Sequence, residues 1–142
     1  MSAHNPERLA TVLRVRDLFE RRAMGRLAAV QRQLAEAERR LHAREERYRE
    51  RPVGPPHPSA EQLFAQRLLG MGAHDAVVAA AGDRDVVAHR REELAAALAE
   101  ASIQRKSVER LAERRRHELA VATQRSDDLA LDEMAMQLRA RR

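Results

Sequence analysis

Arg51-Pro-Val-Gly-Pro-Pro-His-Pro58 holds four of the chain's five prolines. Each proline fixes its own φ, removes a backbone donor and pushes the preceding residue out of helical space, so no helix runs through this stretch. The fifth, Pro6, sits between Asn5 and Glu7. That triplet supplies an N-cap, a ring pre-set for a first helical turn and a carboxylate favoured by the helix dipole, so a first helix is predicted over about 6–50. Beyond the loop at 51–58, Ser59-Ala60-Glu61-Gln62 reads as a capping box, in which the Ser and Gln side chains satisfy each other's backbone donors. A second helix is predicted over about 59–140. No proline follows Ala60 and no glycine follows Asp83, so a helix of over ~100 Å is permitted at about 1.5 Å per residue. Gly70, Gly72 and Gly82 are the weak places, each costing a helix interior about 1 kcal/mol relative to Ala. A kink or a frayed segment is expected over 70–82, and Ser126-Asp127-Asp128 forms a second soft spot.

Seven-residue spacing decides whether these segments fold. Leu27, Leu34, Leu41 and Tyr48 recur at sevens, with Leu9, Ala23, Val30 and Ala37 on the interleaved row, which is the apolar seam of a coiled coil. In the second helix Val87, Leu94, Ala101, Val108, Ala122, Leu129 and Met136 form one row and Leu98, Ala112 and Leu119 the other. Arg91, Arg105 and Arg115 interrupt that seam, where a long side chain lays its stem on apolar surface and keeps its charge in water. One seam per helix and one tight loop predict an all-α fold: a single antiparallel coiled-coil hairpin over 1–142 with a longer C-terminal helix. Pairing counted back from the loop exhausts helix one near residue 104 unless the tip is irregular, so much of the C-terminal segment of helix two would project with an apolar stripe (Val108, Leu111, Leu119, Leu129, Met136) in need of a partner.

The composition agrees. Aromatics make up 2% of the chain and charged residues 35%, and Ala, Leu and Val carry the apolar share, a mixture typical of long helices. The net charge of +5 comes almost wholly from arginine, Lys106 being the only lysine. An acidic partner is one source of that bias and a GC-rich genome is another. The absence of cysteine excludes a disulfide framework and thiolate chemistry and suits the cytoplasm. No apolar run reaches the roughly 20 residues of a membrane span, and Met1–Arg8 lacks the apolar core of a signal peptide.

Little in the sequence carries chemistry. His117-Glu118 lacks the second histidine of a helical zinc motif, and Gly70-Met-Gly72 lacks the Lys and Ser/Thr of a phosphate loop. A two-stranded coil offers no cavity in which to desolvate a carboxylate. No catalysis, metal or cofactor is expected. Arg114-Arg115-Arg116 and Arg139-Ala-Arg-Arg142 admit an alternative, an arginine-rich adaptor for RNA or another acidic scaffold. Against it stand the interleaved Glu109, Glu113 and Glu118 and the scarcity of aromatics for base stacking, so nucleic acid is not the expected partner.

Val12-Leu13-Arg14-Val15-Arg16 leading into a heptad helix, a tip loop at 50–58 and the ending Leu129-Ala-Leu-Asp-Glu-Met-Ala-Met-Gln-Leu-Arg-Ala-Arg-Arg142 together resemble the FliJ family. These are the coiled-coil components of the flagellar type III export apparatus, with YscO-like relatives in injectisomes. The resemblance spans the chain and is most specific at the C-terminal segment. It implies a non-enzymatic stalk supporting protein export and flagellum assembly, and hence motility and chemotaxis, at the cytoplasmic face of the membrane. The implied partners are the hexameric export ATPase, whose ring receives the terminal ends, an export-gate membrane protein, and export chaperones. For the ring, the matching residues are Arg110, Arg114, Arg116, Leu129 and Met136. For the gate, they are Leu41 and Tyr48 on helix one and Phe64 and Leu68 on helix two. Leu41 and Tyr48 also read as plain seam residues, whereas Phe64, a lone aromatic just past a loop, has little core to enter. The short Pro-rich tip and the Gly70/Gly72 pair depart from the family pattern.

Overall fold

The computed structural model describes residues 6–140, and Asn5, the expected N-cap, lies outside them. Two helices account for almost all of these residues: α1 over Pro6–Arg49 and α2 over Ala60–Ala140. They pack against each other as an all-α antiparallel hairpin, with no strand among the described residues. Both boundaries follow from local chemistry. α1 begins at Pro6 with Glu7 in its first turn and ends at Arg49, with Arg47 and Arg49 in the last turn to meet the negative end of the helix dipole. α2 opens on the capping box: the Ser59 amide donates to Gln62 Oε1 at 2.9 Å, and the Gln62 amide donates to Ser59 Oγ at 3.2 Å.

α2 is unbroken from Ala60 to Ala140, so the segment over 70–82, where a kink or fraying is expected, is helical throughout. No glycine takes a positive φ, and the small residues around Gly70 and Gly82, among them Ala73, Val77 and Ala80, are half-buried. That cover outweighs a propensity cost of about 1 kcal/mol at each glycine. Ser126-Asp127-Asp128 is helical as well.

The chain divides into two units. One is Arg22–Ala99, containing the loop; the other joins α1 through Arg21 to α2 from Glu100 onward. Within Arg22–Ala99, Val30 and Ala37 are buried at 5% and 7% exposure, and Leu27, Leu34, Leu41 and Tyr48 are half-buried in the same stripe. Facing positions of α2 at Ala73, Val77, Ala80, Val87, Leu94 and Leu98 are half-buried in the same heptad alternation. The seam is rich in alanine, so the core is narrow and no large side chain is fully enclosed.

In the other unit the seam is interrupted by a polar layer. Leu9 is buried, Leu13 and Arg16 are half-buried, and Glu20, at the same heptad phase as Leu13 and Leu27, is buried at 7% exposure. Arg16 Nη1 donates to Gln104 Oε1 at 2.5 Å, and Arg105 Nε lies 2.5 Å from Glu20 Oε2. Arg105 also donates to Glu109 at 3.1 Å. Its Nε is sealed from solvent without an aligned hydrogen bond, so Glu20 holds it chiefly by charge. The Ser102 hydroxyl's hydrogen bond to the carboxylate, and after it the Arg105 charge, keep Glu20 below its ordinary 4.5 against the upward push of burial. Arg105 in turn is raised, first by the Glu20 charge. Of the three arginines expected to lay their stems along the seam, only Arg105 is enclosed; Arg91 and Arg115 are exposed.

Candidate functional site

Large apolar side chains are exposed at several places, Val12, Val15, Leu18, Phe19 and Met24 on α1 among them, and two further groups lie at the loop end of the hairpin and on the C-terminal stretch of α2.

At the loop end, Tyr48 sits inside a small stack. The Arg51 guanidinium lies 4.0 Å from the Tyr48 ring centroid, Arg51 Nε donates to the Tyr48 carbonyl at 2.9 Å, and the His74 ring stands 6.0 Å away, tilted by 55°. A cation over an aromatic face and a tilted ring pair both favour this geometry. From there the loop runs back along the first turns of α2. Gly54 lies against the Gln66 side chain so closely that any Cβ would collide with it, and a Cβ on Gly70 would come within 2.6 Å of Arg51 Nη1. Pro52, Val53 and Gly54 on the loop and Leu63, Gln66 and Leu69 on α2 line an open groove of about 620 Å³.

The four residues matched to a gate contact therefore part company. Leu41 and Tyr48 are half-buried in the hairpin, whereas Phe64 and Leu68 are 67% and 54% exposed. The exposed apolar set at this end includes residues the sequence reading passed over: Val53 at 97%, Leu63 at 53% and Leu69 at 72%. Val53 lies in the proline run and Leu63 and Leu69 flank the aromatic, so an apolar count across 53–69 would have found them.

Because the loop folds back along α2 instead of turning in place, helix one reaches further along helix two than residue 104, the limit expected from counting. Arg16 already meets Gln104 and Glu20 meets Arg105, and Leu9, further toward the start of α1, is buried. The half-buried seam positions of α2 continue through Val108 to Ala112. From Glu113 to Ala140 every residue is exposed except the half-buried Val121. This bare stretch carries Leu119 at 53% exposure, Leu129 at 69%, Leu131 at 60%, Met134 at 54%, Met136 at 68% and Leu138 at 67%. Leu129 and Met136 continue the seam row of Ala101 and Val108, while Leu131, Met134 and Leu138 fall on the other side of the helix at helical spacing. Sequence reading identified the first row and missed the second, which lies off the phase of the seam and shows only when exposure is counted.

Arg110, Arg114 and Arg116 are exposed beside this stretch, while Arg115 is tied to Glu118 at 2.7 Å. Among the described residues, no cluster of three His, Cys, Asp or Glu side chains could hold a metal ion. No helix there is long and apolar enough to cross a membrane. Comparison with known protein families, curated proteins and solved structures gives no match to this chain.

Proposed function

We propose that this hairpin is a non-enzymatic stalk of a type III protein export apparatus, of the flagellar kind, that reaches a hexameric export ATPase with the bare end of α2 and an export-gate membrane protein with its loop end. The observation carrying this reading is the stretch after Ala112, exposed on all sides yet holding five leucine and methionine side chains between Leu129 and Leu138. An apolar surface of that size on a helix without a covering neighbour calls for a receiving surface. Apolar residues on two sides of the helix suit a receptor that surrounds it, such as the lumen of a ring.

Arg110, Arg114 and Arg116 would meet acidic loops of such a ring through screened attractions of about 0.2–1 kcal/mol each, weak enough to exchange from subunit to subunit. Leu129 and Met136 would supply the apolar part of the contact. At the other end Phe64 and Leu68, with Val53 and Leu63 beside them, form the surface offered to the gate; Leu41 and Tyr48 support it from inside the hairpin. The chain would work in the cytoplasm, held to the membrane through the gate, with export chaperones as further partners.

The test is reconstitution with the export ATPase. The intact chain should co-purify with the hexamer and raise its turnover several-fold, and a chain ending before Leu129 should do neither. Full stimulation by the shortened chain, or none by the intact one, refutes the assignment. Binding to RNA that persists above about 150 mM salt in place of ATPase binding would favour the acidic-scaffold reading instead.

A further inference from the structure

The bare stretch of α2 carries a charge pattern that the export reading does not use. Its seam rows continue those that α1 covers: Leu98, Arg105 and Ala112 lead at sevens into Leu119, Ser126 and Glu133, and Ala101 and Val108 lead into Arg115, Ala122, Leu129 and Met136. The covered members of both rows are half-buried and the later ones exposed. The face that pairs with α1 therefore runs on, unpartnered, past the point where α1 stops.

One flank of this continued seam is Glu118, Arg125, Asp132 and Arg139, a single charge every seven residues with alternating sign. The other flank is Arg116, Thr123, Ala130 and Gln137, with no charge after the first residue. All eight are exposed. Flanking charges set partner, orientation and register in a coiled coil. A parallel partner of the same sequence would gain nothing from this pattern, because parallel pairing sets one flank against the other, and the second flank is nearly neutral. It would also stack Glu133 on Glu133 and Arg115 on Arg115. An antiparallel partner sets the alternating flank against itself. When Leu119 meets Met136 of the other copy and Ser126 meets Leu129, Glu118 faces Arg139 and Arg125 faces Asp132, each twice by symmetry. A slip of one heptad either way sets Arg125 against Arg125 or Asp132 against Asp132, so of these three registers this one alone is free of like-charge contacts along that flank, and it is the only one that makes all four attractive contacts. Its overlap runs from Arg115 to Ala140, which begins where the half-buried seam of the hairpin ends.

We propose that this stretch is a self-recognition surface: two copies of the chain pair their bare α2 segments antiparallel, about a two-fold axis between Asp127 and Asp128. The pairing covers Leu119, Leu129 and Met136 and leaves Leu131, Met134 and Leu138 on the outer faces. It would therefore compete with any ring that takes the seam face, although it does not rest on that assignment, because the purified chain alone is enough to test it.

Sedimentation equilibrium of the intact chain from about 5 to 200 µM should show a reversible monomer–dimer equilibrium that weakens as salt is raised. Arg125→Asp and Asp132→Arg should each weaken the dimer by about tenfold or more, since each turns two attractive contacts into repulsive ones. The double variant should restore it. The cysteine-free sequence makes the register directly readable: Leu119→Cys chains mixed with Met136→Cys chains should cross-link on oxidation, and neither should cross-link to itself. Circular dichroism on each variant confirms that the helices remain. A chain that stays monomeric at 200 µM, a double variant as weak as the singles, or Leu119→Cys chains that cross-link to one another overturns the proposal.

Discussion

Gly25, Gly72 and Gly82 lie in helix interiors, exposed, with nothing within 4 Å of where a Cβ would stand. None has a positive φ, so alanine fits each backbone without strain. Replacing a helical glycine with alanine removes conformational freedom from the unfolded chain and supplies a better helix former, gaining about 0.8–1.0 kcal/mol per site. The sites share no side-chain neighbours, so their effects should add. The triple variant Gly25→Ala/Gly72→Ala/Gly82→Ala should then be about 2.5–3 kcal/mol more stable than the parent. With an unfolding entropy of about 2.1 cal/mol/K per residue, a chain of this size gains roughly 8–10 °C in Tm. Thermal and urea melts followed at 222 nm measure both quantities. Gly70→Ala is the internal control, because its new methyl meets Arg51 Nη1 at 2.6 Å and must displace the guanidinium stacked on Tyr48; its gain should be smaller. A triple variant no more stable than the parent would mean that α2 bends at Gly72 and Gly82 in solution, and the account of a continuous helix would fail.

Two further predictions concern polar groups at defined places. Glu20 is held below its ordinary 4.5 in the folded chain, so the unfolded state takes up its proton first as pH falls. The stability this group contributes is fully present above that ordinary value and disappears as pH drops through the lowered folded value. Urea melts at pH 6 and pH 3 should show the parent losing more than Glu20→Gln does, and equal losses would refute the assignment. Ser59→Ala removes the acceptor for the Gln62 amide and should cost about 0.5–2 kcal/mol, read as faster proteolysis and amide exchange over 59–63; unchanged exchange there would show that the box does not hold the helix start.

The existence and direction of both helices were readable because prolines and caps act locally: Pro6, the 51–58 run and the Ser59/Gln62 pair mark boundaries that hold to within a residue. The apolar heptads of α1 were readable for the same reason. What escaped a reading of the sequence depends on residues that meet across the hairpin. Arg105 was recognisable as a charge in a seam, but Glu20 was not, because a search for apolar repeats skips a carboxylate even when it sits in phase with Leu13 and Leu27. The reach of α1 along α2 was underestimated because nothing local says that the 51–58 loop lies back over Gln66 and Gly70. At the loop end, the exposure of Phe64 was legible from the lack of any core nearby. The enclosure of Tyr48 needed the positions of Arg51 and His74.

The polar layer bears directly on how much of α2 stays bare. A seam built mostly from alanine and leucine at regular heptads tolerates sliding, since one apolar layer replaces another when the helices shift by seven residues. Glu20 and Arg105 remove that tolerance. After a slip of one heptad, Glu20 would face Leu98 or Ala112 in place of Arg105, leaving a buried carboxylate without its cation and the half-buried guanidinium with Glu109 alone, which the seam disfavours. A buried pair of this kind adds little net stability but admits only one register. Each heptad of slip would lengthen or shorten the bare end of α2 by about 10 Å, moving Leu129 and Met136 relative to anything that α1 touches. Replacing Glu20 and Arg105 together by leucine should therefore leave the hairpin at least as stable while its register becomes mixed. Cysteines introduced at positions 13 and 108, half-buried seam sites on opposite helices and on the same side of the layer, would report this as a drop in the yield of the single native cross-link. A double-leucine variant that kept the full yield would show that the apolar seam fixes the register without them.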